Sequence, residues 1–190
     1  MVRSLLITLI TILLSACASP DSHLPQLTFK HLPPIKLQVA DIQITSLLPS
    51  DTQAPTVGYR FPLSPEQALT MWAQDRLRLG GKRGIARFTI LQANATETKL
   101  KKDETLTGLF KQQASEKYDI AVKARLEIID DGGVQRAQVT ASAVWQQNIR
   151  EDTSLSDRRR IWLELVEKVI GRFNGEIDRG IQRFMTEYVL

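Results

Sequence analysis

A chain of 190 residues with 43% apolar side chains and one cysteine can bury a single core and cannot close an internal disulfide. Its formal net charge of +4 is a mild bias, whereas a nucleic-acid binder concentrates far more charge of one sign. The only histidines, His23 and His31, precede residue 35, so histidine-based catalysis and histidine zinc sites are excluded from the rest of the chain.

In chain order, Arg3 is followed by residues 4–14, an uncharged apolar run. It is too short for a mature spanning helix, which needs about 20 apolar residues. A basic residue, a short apolar core and then small residues form the secretory pattern. The run ends in Leu14-Ser15-Ala16-Cys17, where two small residues admit a peptidase and a thiol follows directly. These residues resemble the signal of the bacterial lipoprotein family. The resemblance implies that 1–16 is a cleaved signal peptide and that Cys17 becomes the first mature residue. It further implies that Cys17 carries a thioether-linked diacylglycerol, usually with a further acyl chain on its amine. Two or more chains give stable anchoring where one does not. In many Gram-negative members an Asp after the Cys retains the protein in the inner membrane, and Ala18 here points to the outer one. Losing residues 1–16 removes Arg3 alone among the charges and leaves 174 residues, enough for one domain and a tether.

Residues 17–34 contain Pro20, Pro25, Pro33 and Pro34 and read as that flexible tether. A single domain over 35–190 follows. Residues 35–44 alternate apolar and polar with a phase shift at Ala40, which predicts one strand with a bulge. Pro49, Pro55, Gly58 and Pro62 mark a loop, inside which Val57, Tyr59 and Phe61 alternate. Ser64-Pro65-Glu66-Gln67 combines a cap, a first-turn proline and a capping-box glutamine, so a helix is predicted over about 64–79, ended by Gly80-Gly81. A strand over 85–100 follows, with Ala86, Phe88 and Ile90 on one side. Residues 101–116 are polar around Leu106, Leu109 and Phe110, whose side chains form either a small satellite core or a contact surface.

Tyr118, Ile120, Val122, Ala124, Leu126 and Ile128 alternate with Asp119, Lys123, Arg125 and Glu127, the clearest strand pattern in the chain. Asp130-Asp131-Gly132-Gly133 supplies a turn. Val134–Ile149 returns with Ala137, Val139, Ala141, Ala143 and Trp145 on one face, leaving room for a closely packed helix. That helix is predicted over about 156–188 from the stripe Trp162, Val166, Val169, Ile170, Phe173, Ile177, Ile181, Phe184 and Tyr188, running through Gly175. The expected fold is therefore α+β, a two-layer sandwich of a mainly antiparallel four-stranded sheet with both helices on one face.

Carboxylate chemistry is not announced: Asp130 and Asp131 belong to a turn, and Glu151, Asp152 and Asp157 to a helix start. Gly80-Gly81-Lys82-Arg83-Gly84 follows a helix and precedes a strand, the reverse of a phosphate loop. Arg158, Arg159 and Arg160, with Arg172, Arg179 and Arg183, are interspersed with Glu164, Glu167, Glu176 and Asp178 and read as a solvated helix face.

No enzyme, cofactor, metal or nucleic-acid partner is expected. In element order the chain resembles the auxiliary lipoproteins of envelope lipid and lipopolysaccharide transport systems. That likeness implies a periplasm-facing, membrane-anchored adaptor in an envelope protein complex, with a lipid-binding carrier as the alternative. The residues singled out for partner contact are Tyr59, Phe61, Leu109 and Phe110.

Overall fold

Where alternation predicts one bulged strand, the chain makes two. The computed structural model describes residues 27–49, 56–101 and 114–190. Strands β1 (Ile35–Leu37) and β2 (Asp41–Ser46) are separated by a tight turn in which the Val39 amide donates to the Leu37 carbonyl at 2.8 Å. The Ala40 amide donates to Gly84 O (3.0 Å) and the Gly81 amide to Val39 O (3.1 Å), so an adjacent turn satisfies the broken backbone. Gly81 is required there, since a Cβ would lie 2.6 Å from Val39 N.

Helix α1 (Pro65–Arg76) starts as expected. Ser64 Oγ accepts from the Gln67 amide at 3.2 Å while Gln67 Oε1 accepts from the Ser64 amide at 3.0 Å. It ends three residues early. Leu77–Leu79 leaves as β3 and pairs in parallel with β1, Ile35 facing Leu77. Leu77 is buried in the strand, the same burial that its four-residue spacing suggested for a helix.

The main sheet has the order β2-β4-β5-β6, with β4 at Ile85–Lys99, β5 at Ala114–Ile129 and β6 at Gln135–Arg150. β2 runs parallel to β4, and the crossover that such a pair needs contains α1. The other pairings are antiparallel. The register slips at Leu91, between Ile90 and Gln92. Before it Ala86, Phe88 and Ile90 face the core, and after it Ala95 does.

Helix α2 (Leu155–Phe184) begins at Ser154, whose Oγ accepts from the Asp157 amide at 3.1 Å, and runs unbroken through Gly175. Its stripe lies on β5 and β6, with Trp72 of α1, Phe88 of β4 and Phe173 of α2 meeting at ring separations of 5.2–6.3 Å. The close approach foreseen over the alanines of β6 is set by Gly180, where a Cβ would overlap Val139 Cγ2. Phe184, expected in the stripe, is 60% exposed because the helix ends there. The opposite face of the sheet is polar, although Glu127, paired with Arg125 at 3.2 Å, is buried among neighbouring strands.

The architecture is thus an α+β two-layer sandwich with both helices on one face. Its packed chain begins before residue 35: Phe29 is buried and its amide donates to Asp75 Oδ2 at 2.9 Å. At the other terminus Val189 bridges to Leu37, and the Leu190 amide donates to Lys36 O. Two poles result. The turn pole gathers the turns at 38–40, 80–84 and 130–134 with residues 185–190. The connection pole holds the ends of β4 and β6, the starts of β5 and α2, and the turn Gly58–Arg60.

Candidate functional site

The residues singled out for partner contact divide by position. Tyr59, in the 3-10 turn Gly58–Arg60, is 58% exposed, and its hydroxyl accepts from Arg60 Nε at 3.3 Å. Phe61 is not a surface residue. It extends from the end of that turn into the core, 6% exposed, and stacks on Trp162 with ring centres 5.0 Å apart and planes 7° from parallel. Alternation placed Tyr59 and Phe61 together, but the helical turn between them sends the two rings to opposite sides. Leu109, Phe110 and the lipidation candidate Cys17 lie outside the described residues. The connection bearing Leu109 and Phe110 leaves and returns at the connection pole, where the Leu100 amide donates to Ser115 O at 2.8 Å.

Beneath that pole is a polar cluster that the sequence reading did not find. The register sets Glu97 opposite Tyr118, and Glu116 lies two residues before Tyr118 on the same side of β5. The fully buried Tyr118 hydroxyl lies 3.0 Å from both Glu97 Oε2 and Glu116 Oε2. Arg158, in the first turn of α2, donates to Glu116 and, at 3.0 Å, to the Tyr118 hydroxyl. Arg60 reaches Glu97 at 3.5 Å. Burial, and then the two carboxylates, push the Tyr118 phenol well above its ordinary 10.0. A hydroxyl has one proton to donate, so Tyr118 keeps it and serves both acids while Arg158 and Arg60 supply the compensating charge. Each acid is engaged by a guanidinium and the phenol, and the Phe61, Trp162 and Tyr118 rings close over the apolar side. The cluster therefore ties the Tyr59 turn, both ends of the β4–β5 connection and the start of α2 into one unit.

A second network joins the helices. Arg76, 3% exposed, donates two hydrogen bonds to Asp178 at 2.6 and 2.8 Å and another to Pro33 O. Asn174 accepts from Trp72 Nε1 at 2.8 Å and donates to Asp178 at 3.1 Å. Most arginines of α2 are engaged: Arg158 on Glu116, Arg160 between Asp157 and Glu164, Arg179 on Glu176, and Arg172 over the Trp145 ring, while Arg159 and Arg183 make no ion pair with a described carboxylate. That matches a solvated face rather than a basic patch.

Among the described residues no three His, Cys, Asp or Glu side chains come close enough to hold a metal, and no helix is long and apolar enough to cross a membrane. A cleft of about 530 Å³ opens beside Tyr59, lined by Leu48, Pro65 and Ala93 among others. The small-residue face of β6 is covered by α2.

Searches of family models and of curated proteins return no match. Among solved structures, the chain is similar to the rare lipoprotein B from Shewanella oneidensis at 11% identity and a TM-score of 0.36, covering 75% of this chain and 92% of that one. A likeness at that level carries no functional argument.

Proposed function

We propose that this chain is a bacterial envelope lipoprotein, anchored through a lipid on Cys17, that acts as a non-catalytic adaptor in an envelope assembly or lipid-transport complex. The observation that carries the reading is Leu14-Ser15-Ala16-Cys17 directly behind an uncharged apolar run. The connection pole suits the adaptor role, with exposed Tyr59 on a braced turn and Leu109 and Phe110 in the adjoining connection. Tyr59, Leu109 and Phe110 are the proposed contact residues; Phe61 positions their support. A carrier would have to lift α2, against the Arg76–Asp178 pairing and the closeness of Gly180 to β6.

The test is metabolic labelling with a fatty acid, followed by mild crosslinking and purification of the full-length protein from its native envelope. Wild type is expected to carry label and recover a specific protein partner, and Cys17→Ala to lose both. Unlabelled wild type refutes the anchor. Labelled protein that yields only bulk lipoproteins refutes the adaptor role.

A further inference from the structure

The turn pole gathers two kinds of exposed side chain, apolar and cationic. Four of the eight large apolar side chains exposed among the described residues lie there: Leu79, Val134, Phe184 and Leu190. Leu79 and Leu190 are neighbours, since Leu190 bonds to the backbone of β1 beside β3 and comes within 2.5 Å of where a Cβ on Gly80 would stand. Phe184 closes α2 just before residues 185–190 return to β1, and Val134 ends the turn whose residues 130–132 share a cleft with Gln38 and Tyr188.

Around these side chains stand exposed Lys36, Lys82 and Arg183, none of which is ion-paired with a carboxylate among the described residues. Arg183 instead lies over the Phe184 ring at 5.2 Å. Two acids of this pole are compensated, Asp130 binding Arg136 at 2.6 Å and Asp131 lying 4.0 Å from Arg83, which leaves Asp41 and Glu187 exposed without an ion pair and the cations still in excess. Apolar side chains ringed by unpaired cations are the chemistry of an anionic lipid surface, which takes the first into its interface and attracts the second.

Chain length points the same way. Leu27 lies close to Phe29, which is fixed to Asp75 in the last turn of α1, and that turn leads into the turn pole through β3. The ten residues from Cys17 to Leu27 span about 35 Å at full extension. The fifteen residues of β4 extend roughly 50 Å from one pole to the other. The tether thus joins the domain near the turn pole and is shorter than the domain's long axis.

We infer that the turn pole docks directly on an anionic lipid surface through Leu79, Leu190 and Phe184 with Lys36, Lys82 and Arg183, holding the connection pole away from the membrane. This rests on the lipid anchor proposed above and adds an orientation to it. A freely swinging domain would present its contact residues in every direction, whereas a docked one points them outward.

The test uses full-length lipidated protein in vesicles of about 30% phosphatidylglycerol in phosphatidylcholine. Lipid consumes the Cys17 thiol, so a fluorophore reports from Leu79→Cys or Phe184→Cys at one pole and Leu155→Cys at the other, with a quencher carried on the lipid. Quenching at Leu79→Cys and Phe184→Cys is expected to exceed that at Leu155→Cys by about threefold or more. It should fall to the Leu155→Cys level in pure phosphatidylcholine, in about 1 M salt, where screening shortens to about 3 Å, and in Lys36→Glu/Lys82→Glu/Arg183→Glu. Salt perturbs no side chain, so a charge-reversed variant that fails to fold does not rescue the proposal. Equal quenching at the two poles, stronger quenching at Leu155→Cys, or quenching indifferent to lipid charge overturns it. Protein that fails to float with vesicles refutes the anchor itself, whereas protein that floats unquenched refutes the docking alone.

Discussion

The two poles are closed by different materials. At the turn pole backbone bonds backbone: Gly81 to Val39, Ala40 to Gly84, Gln38 to Tyr188 and Leu190 to Lys36. At the connection pole the closure is made by side chains, with one phenol, two carboxylates and two guanidiniums under the rings of Phe61 and Trp162. Backbone closure leaves no space for added volume but is indifferent to the charge state of its surroundings. Charge closure tolerates small changes of shape yet depends on every proton staying in place.

The sharpest break of this contrast is Gly81→Ala, which forces a methyl into the backbone of residues 38–39. It should cost about 3 kcal/mol and lower the melting temperature by roughly 10 °C. Arg158→Met keeps much of the side-chain volume but removes the cation from the part-buried cluster. Urea unfolding should show a loss of about 2 kcal/mol, set by the acids left behind. The loss should be larger in low salt than in high, while that of Gly81→Ala should not change with salt.

The phenol makes the contrast depend on pH. Because the folded state raises the Tyr118 pKa, its contribution is fully present below the ordinary 10.0 and is lost as pH rises beyond that value toward the folded one. Melting temperatures at pH 9 and 11 should therefore diverge more for wild type than for Tyr118→Phe, which costs about 1 kcal/mol at neutral pH. A divergence equal in both proteins would remove Tyr118 from the argument. The smallest effect belongs to Asp130 at the turn pole. The Val134 amide, then Arg136 and the Gly132 amide, hold its carboxyl below the ordinary 3.8. Its contribution is present above that value and is lost as pH falls through the folded pKa, so a slight deficit of Asp130→Asn in melting temperature at pH 7 should vanish in strong acid.

How much of this was legible depended on whether the signal was local. The β5–β6 hairpin announced itself by alternation over both strands with Asp130–Gly133 between them, and α1 by the capping box at Ser64. The stripe on α2 was readable for the same reason, as far as Ile181. What the sequence hid depends on pairing. A phase shift at Ala40 looks the same whether the strand bulges or breaks to serve two sheets. Leu77 fits a helical face and a strand equally well. The slip at Leu91 moves the core face of β4 from even to odd positions, and only that slip brings Glu97 onto the side of Tyr118. The cluster joins residues 60, 97, 116, 118 and 158, which no window along the chain contains. Phe61 reads as a twin of exposed Tyr59 until Trp162, a hundred positions later, takes its ring. For the turn pole the cue was present but dispersed: Leu79, Phe184 and Leu190 mean little separately.

The bridge from Leu37 to Val189 bears on how the molecule comes into being. A polypeptide is delivered from its N-terminus, yet β1 receives part of its partner surface from Val189 and Leu190, far along the chain. Until they arrive, the first strand has one neighbour fewer and its backbone is left to water. The hairpin and α2 can assemble as they appear, but the seam between β1 and residues 188–190 closes only after both. A chain that lacks residues 188–190 should come undone first at β1, far away in sequence.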